Sequence, residues 1–178
     1  YEEYIKDGDE NYIWPTLDDD AACALCYTSG TTGNPKGVLY SHKSNVIHAQ
    51  AALTAMTIQP DDSILMVVPL FHVLAWGIPY FGPMNGLKLV MPGMQMEGEP
   101  LYELIDQEDV TLAFGVPTIW MGLLAYCREN NKVLTSVKNT IIGGSALSLA
   151  TLQEFDEVHD VNVIHAWGMT EMSPLGTT

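Results

Sequence analysis

The sequence predicts an α/β fold, a mostly parallel sheet with helices on both faces. Three observations carry this. From Ala21 onward, short apolar runs alternate with helix-length amphipathic stretches, the pattern of successive βαβ units. Runs such as Ile64-Leu65-Met66-Val67-Val68 are apolar at every position, as strands buried on both faces require. Of the 178 residues, 47% are apolar and 16% charged, which supports a core without disulfide staples and excludes a disordered chain.

Residues 1–20 hold eight acids and one lysine. They read as an acidic, loosely structured lead-in, opposite in charge to a targeting segment. The core segment is 21–178, with no linker and no internal repeat. Strands are expected at 21–27, 37–40, 63–68, 87–91, 111–115, 139–143 and 161–166. Helices are expected at 43–56, 72–82, 99–108, 117–128 and 148–158. Pro117 suits a first helical position, and Ser148 suits an N-cap. Residues 63–87 carry no Asp, Glu, Lys or Arg and are long enough to suggest a membrane span. Pro69, Gly77, Pro79, Gly82, Pro83 and Gly86 interrupt them and His72 lies inside, so a buried strand followed by a short buried helix fits better. The chain begins at Tyr1 and stops at Thr178, just after an apolar, Gly-containing segment, and reads as a cut piece of something longer.

Composition also excludes partners. Seven Lys+Arg against 22 Asp+Glu give a net charge of −15, which repels nucleic acid and anionic membranes. Cys23, Cys26 and Cys127 are the only cysteines. A spacing of three on a strand puts Cys23 and Cys26 on opposite faces, and no second Cys/His pair lies at metal spacing. Buried free thiols are expected, and with them a reducing compartment, the cytoplasm.

In an open parallel sheet, ligands bind beyond the carboxyl ends of the strands, and four such loops stand out. Tyr27-Thr28-Ser29-Gly30-Thr31-Thr32-Gly33-Asn34-Pro35-Lys36-Gly37 packs four hydroxyls (Tyr27 aside), three glycines and a lysine into eleven residues. Glycines let backbone N–H groups approach an anion, and hydroxyls and Lys36 add donors and charge. The window 21–60 holds no Asp or Glu, where the chain average gives about five, so acid has been kept away from one place as an anion site requires. The loop is not a Walker A motif, because Pro35 precedes the lysine, Gly37 follows it, and a strand rather than a helix comes next. A flexible turn between two strands is the alternative that the full string makes less apt. Val68-Pro69-Leu70-Phe71-His72-Val73-Leu74-Ala75-Trp76 sets one titratable ring among apolar residues. Gly143-Gly144-Ser145-Ala146 ends a strand where a flat ring could lie on backbone, and is not the G-x-S-x-G nucleophile elbow. His165-Ala166-Trp167-Gly168-Met169-Thr170-Glu171 offers an aromatic for stacking, a hydroxyl for phosphate and a carboxylate for Mg²⁺. Glu171 is the only acid between Val161 and Thr178.

Together these strings resemble the adenylate-forming superfamily: acyl-CoA synthetases, luciferase and the adenylation domains of peptide synthetases. Tyr27–Gly37 resembles its phosphate-loop signature, and Gly143–Ala146 and Trp167–Glu171 its adenine and Mg²⁺/phosphate motifs, in the same order. Val68–Trp76 and Gly115–Trp120 most resemble the medium- and long-chain fatty acyl-CoA synthetase branch. The resemblance covers 21–178 and implies part of the large N-terminal domain. It implies a two-step ligase in which a fatty acid carboxylate attacks the α-phosphate of MgATP, and coenzyme A then displaces AMP. Thr28, Ser29, Gly30, Thr31, Thr32, Gly33 and Lys36 would hold the pyrophosphate. Thr28 and Glu171 would hold Mg²⁺. Gly144, Ser145, His165, Ala166 and Trp167 would line the adenine, and Thr170 would bond the α-phosphate. His72 would lie beside the reacting carboxyl, with Val73, Trp120 and Gly143 lining the acid site and Trp76 as the gate of the acyl tunnel. Catalytic roles would fall to Thr170, Glu171, His72 and Lys36.

The family's ribose-binding Asp, its hinge and its C-terminal lid domain with a late lysine have no counterpart here. Little or no ligase activity is therefore expected of this chain alone, an expectation that fatty-acid-dependent ATP–pyrophosphate exchange would overturn. Exposed apolar surface and self-association are expected as well. An aryl-acid or amino-acid adenylating enzyme, or a non-catalytic nucleotide-binding module, are the alternatives.

Overall fold

A computed structural model describes residues 2–28 and 33–178. After a four-residue helix α1 (Glu2–Ile5) and an exposed acidic stretch, β1 (Ala22–Tyr27) and β2 (Gly37–Ser41) form an antiparallel hairpin. α2 (His42–Ala55) follows, its first turn closed by Ser41 Oγ accepting from the Ser44 amide at 3.1 Å. Then come β3 (Ser63–Met66), the single turn α3 (Val73–Trp76), α4 (Ile78–Met84), β4 (Lys88–Val90), α5 (Gly98–Gln107), β5 (Leu112–Gly115), α6 (Pro117–Asn130), β6 (Asn139–Ile142), α7 (Leu149–His159) and β7 (Asn162–His165). The C-terminal end adds β8 (Trp167–Gly168), a 3-10 turn (Thr170–Met172) and β9 (Leu175–Thr177).

The central sheet has five strands in the order β4-β3-β5-β6-β7, every pair parallel. Its residues alternate between two cores. Leu65, Ala113 and Ile142 face α5, α6 and α7, packing with Leu101, Trp120, Leu123, Leu124 and Phe155. Ile64, Met66, Phe114 and Ile141 face α2 and α4, packing with Ala49, Ala52, Met56, Ile78 and Phe81. This two-residue period on strands buried on both faces is why the runs read as continuously apolar. Pro117 starts α6, and Ser148 Oγ accepts from the Thr151 amide at 3.1 Å to start α7, as read from the sequence.

Three expectations are corrected. The strands at 21–27 and 37–40 stand apart from the parallel sheet as their own antiparallel hairpin, so the loop between them does not follow a strand of that sheet. The helix expected over 72–82 is divided: Val73, Leu74, Ala75 and Trp76 all have positive φ (50°, 53°, 47° and 57°), and α4 begins only after Gly77. Left-handed backbone costs an L-residue roughly 1–2 kcal/mol, so surrounding packing must hold this turn. Cys23 and Cys26 do not separate across the strand; both pack into the cluster of Cys26, Tyr40 and Val73, because a bulge between Ala22 and Ala24 inserts Cys23 as an extra residue. All three cysteines are free.

Candidate functional site

The carboxyl ends of β3, β5, β6 and β7 open onto one pocket of about 270 Å³. Val67 and Val68 line it from the end of β3, Val116 from β5, Gly143 and Gly144 from β6, and Ala166 and Trp167 from β7. His48 and Met56 line it from α2, and His72, Val73 and Trp76 from the left-handed turn. Met169, Thr170, Pro174 and Leu175 complete it from the C-terminal segment. The ladder runs into the floor: the Gly143 amide donates to the Gly115 carbonyl at 3.4 Å and the Ala166 amide to the Ile142 carbonyl at 2.8 Å.

The glycine pair after β6 has a steric reason. A Cβ at Gly143 would stand 3.0 Å from the Ala166 carbonyl and 3.3 Å from Cη2 of Trp76, and Gly144 has φ +85°. Both positions thus favour glycine, one for close approach and one for backbone conformation. Trp76 is half-buried and packs on the hairpin cluster, on the sheet core and over Gly143. Trp167 is 55% exposed. Part of its six-membered ring lies on Gly176, where a Cβ would come within 2.6 Å of it. That leaves an accessible indole at the pocket edge, able to stack on a flat ring.

The hairpin reaches the pocket through Tyr40. Its ring is buried and its hydroxyl donates to the carbonyl of Thr170. Burial pushes its pKa up to about 12, with Cys26 and then Glu171 adding to the rise, so it remains a proton donor at any physiological pH. At the base of the tip, the Thr28 amide donates to the Lys36 carbonyl at 2.9 Å. Ser29, Gly30, Thr31 and Thr32 lie outside the described residues. Thr28, Gly33 and Lys36 are not in the pocket lining.

Of the sequence-derived residues, the fold gathers His72, Val73, Trp76, Gly143, Gly144, Ala166, Trp167 and Thr170 around one space. Glu171 is exposed beside it. Ser145 and His165 are exposed, lie outside the lining and engage each other, His165 Nε2 lying 3.3 Å from the Ser145 carbonyl. The expectation that Trp120 touches substrate is corrected: it is 1% exposed, in the core on the α5–α7 face, edge-on to Phe155 with ring centroids 6.5 Å apart. The signal was present, since Trp120, Leu123, Leu124 and Cys127 form the buried i, i+3, i+4, i+7 stripe of α6.

His48 was missed. It shares the buried face of α2 with Asn45, Ala49 and Ala52 and forms part of the pocket wall. Burial lowers its pKa, so the ring there is neutral. Among the described residues, no group of three or more His, Cys, Asp or Glu is placed to hold a metal ion, and no helix is long and apolar enough to cross a membrane.

Comparison with known proteins gives a consistent picture. Residues 2–178 match the family described as AMP-binding enzyme. The chain is 51% identical to a medium-chain-fatty-acid–CoA ligase of Ectopseudomonas oleovorans, over 99% of this chain and 33% of that protein. It is also 51% identical to a 3-methylmercaptopropionyl-CoA ligase of Ruegeria pomeroyi, over 100% of this chain and 33% of that protein. Among solved structures, the o-succinylbenzoate CoA synthetase of Bacillus subtilis in complex with AMP superposes with a TM-score of 0.80 at 28% identity, over 98% of this chain and 35% of that one. A long-chain-fatty-acid-CoA ligase of Archaeoglobus fulgidus gives 0.84 at 24% identity, over 97% and 36%. The chain thus spans about a third of the length of the curated relatives it matches.

Proposed function

The chain belongs to the AMP-binding enzyme family, and from that premise we propose that it is the nucleotide- and acid-binding part of an ATP-dependent acid–CoA ligase acting on a short- or medium-chain aliphatic acid. One observation carries this reading: a single pocket is lined both by Gly144, Ala166, Trp167 and Thr170 and by the apolar side chains of Met56, Val67, Val68 and Val73, together with His72 and Trp76. A nucleotide on one side and an alkyl chain on the other bring a carboxylate against the α-phosphate. Names of relatives point the same way, toward medium-chain fatty acids or 3-methylmercaptopropionate.

In the first step a carboxylate oxygen bonds to the α-phosphorus and the bond to the bridging oxygen breaks, releasing pyrophosphate. In the second, the thiol sulfur of coenzyme A bonds to the acyl carbon, AMP leaves, and the thiol proton is lost to solvent. The nucleophiles are the substrates' own. The protein contributes position and charge neutralisation. Trp167 stacks on the adenine over the Gly143–Gly144 backbone. The Thr170 hydroxyl donates to the α-phosphate, and the hairpin tip with Lys36 receives the departing pyrophosphate. Burial of each methylene against the valines contributes about 0.8 kcal/mol, so the pocket's depth selects chain length.

The donor set suits magnesium: one exposed carboxylate, Glu171, and the Thr28 hydroxyl match an ion held mainly by phosphate oxygens plus one or two protein ligands. Bound there with ATP, it would neutralise charge on the phosphates.

The test is acid-dependent ATP–pyrophosphate exchange by the full-length protein with butanoate, octanoate, palmitate, 3-methylmercaptopropionate, benzoate and amino acids. Fastest exchange with the short and medium aliphatic acids is expected. A preference for benzoate or an amino acid would replace this reading with the aryl-acid or amino-acid alternative. Binding of MgATP with no exchange for any acid would favour a non-catalytic nucleotide-binding module.

A further inference from the structure

β1 and β2 share no ladder with the central sheet. The sheet's hydrogen bonding therefore does not fix where the hairpin lies relative to Thr170 and Glu171. On the other side, the Thr170–Met172 turn is only three residues long. Its own backbone bonds are few: the Met172 amide donates to Met169, and the Ser173 amide reaches the Thr170 carbonyl only at 3.5 Å. So short a 3-10 turn is weakly held by itself.

Tyr40 bridges the two. It occupies an inward position of β2, while its neighbour Leu39 is 65% exposed. The ring packs with Cys26 and Val73 and is 3% exposed, and its hydroxyl donates to the Thr170 carbonyl, 130 residues further along the chain. A buried phenol needs a hydrogen-bond partner. Here the partner is the first backbone carbonyl of the turn that carries Thr170 and Glu171. A phenylalanine would fill the same cavity and leave hairpin and turn unconnected at this point.

We propose that Tyr40 is a positioning residue, a latch that ties the Thr170–Glu171 turn to the β1–β2 hairpin, so that the Thr170 hydroxyl and the Glu171 carboxylate are held in place for MgATP. This rests on the adenylation reading above. The latch touches neither nucleotide nor acid in that scheme; it acts through the backbone of Thr170. Its loss therefore weakens nucleotide binding and leaves the acid end of the pocket intact.

Tyr40→Phe in the full-length protein tests this, with Tyr102→Phe as a control, since the Tyr102 hydroxyl bonds only the exposed Val133 carbonyl at 3.4 Å. Two measurements are paired. Amide hydrogen exchange at Met172 should accelerate about tenfold, the loss of one hydrogen bond, while exchange in β5 and β6 stays unchanged. The KM for MgATP should rise by a similar factor, with the KM for the acid unchanged. Exchange that accelerates equally in β5 and β6, or MgATP and acid constants that rise together, would make Tyr40 an ordinary core residue and overturn the proposal. Unaltered exchange at Met172 would overturn it too. If the wild-type protein showed no acid-dependent pyrophosphate exchange, the ligase reading would fall, and the Met172 measurement would still decide the latch.

Discussion

Trp120 gives the sharpest test of how the pocket and the core divide the aromatic residues. It is 1% exposed and tightly enclosed. Its ring stands edge-on to Phe155 at 86°, and a Cβ at Gly115 would come within 2.7 Å of its Cζ2. Trp120→Ala removes a side chain that its neighbours on rigid β5 and α7 cannot easily replace. Truncations of this kind cost about 3–5 kcal/mol. For a domain of this size that lowers Tm by roughly 6–20 °C, at about 2–4 °C per kcal/mol. Trp120→Phe should behave differently. The indole Nε1 is buried with no hydrogen-bond partner, and an unpaired buried donor costs about 1–3 kcal/mol. Phenylalanine leaves a smaller cavity and removes that donor, so the two changes partly cancel and the net loss should stay under about 1.5 kcal/mol. Urea unfolding of both variants with unchanged m-value reads the difference. A Phe variant as damaged as the Ala variant would show that Nε1 is paired after all. An Ala variant with wild-type stability but altered acid selectivity would return Trp120 to the substrate.

Other predictions concern the site and its pH response. Glu171→Gln should lose Mg²⁺-dependent adenylation and keep the wild-type Tm, because Glu171 is exposed; a large fall in Tm would make it structural. Trp76→Ala should change acid chain-length preference more than the KM for MgATP, since its ring edge lies over Gly143 and faces the pocket; the reverse ranking would remove it from the acid end. The pKa values of His48 and His159 are both lowered in the fold, each chiefly by burial. The unfolded chain then binds more protons, so stability is fully present above the ordinary histidine pKa near 6.5 and falls as pH drops below it. The urea midpoint should decline from about pH 6.5 downward, and His48→Leu should flatten part of that decline. A midpoint independent of pH between 6.5 and 5 would mean that both rings are protonated within the fold.

Features that depend on local pattern are legible in the order of the residues. Continuously apolar runs had to become strands buried on both faces, and helix-length amphipathic stretches had to cover them. Pro117 and Ser148 mark the helix starts they were read to mark. The loop strings carried enough chemistry to point to the family that residues 2–178 match. What the sequence could not express is which distant groups share a space. Trp76 and Trp120 are both tryptophans among apolar neighbours, yet a left-handed turn puts one over Gly143, and helical periodicity puts the other under the opposite face of the sheet. His48 shares one face of α2 with Asn45, Ala49 and Ala52, and only the packing of α2 on the sheet turns that face into a pocket wall. The hairpin's independence from the parallel sheet, and the phenol of Tyr40 that ties it to Thr170, are long-range pairings. Strand partners and buried hydrogen bonds are chosen by which surfaces close the core while leaving few polar groups unpaired, and that choice belongs to the folded chain as a whole.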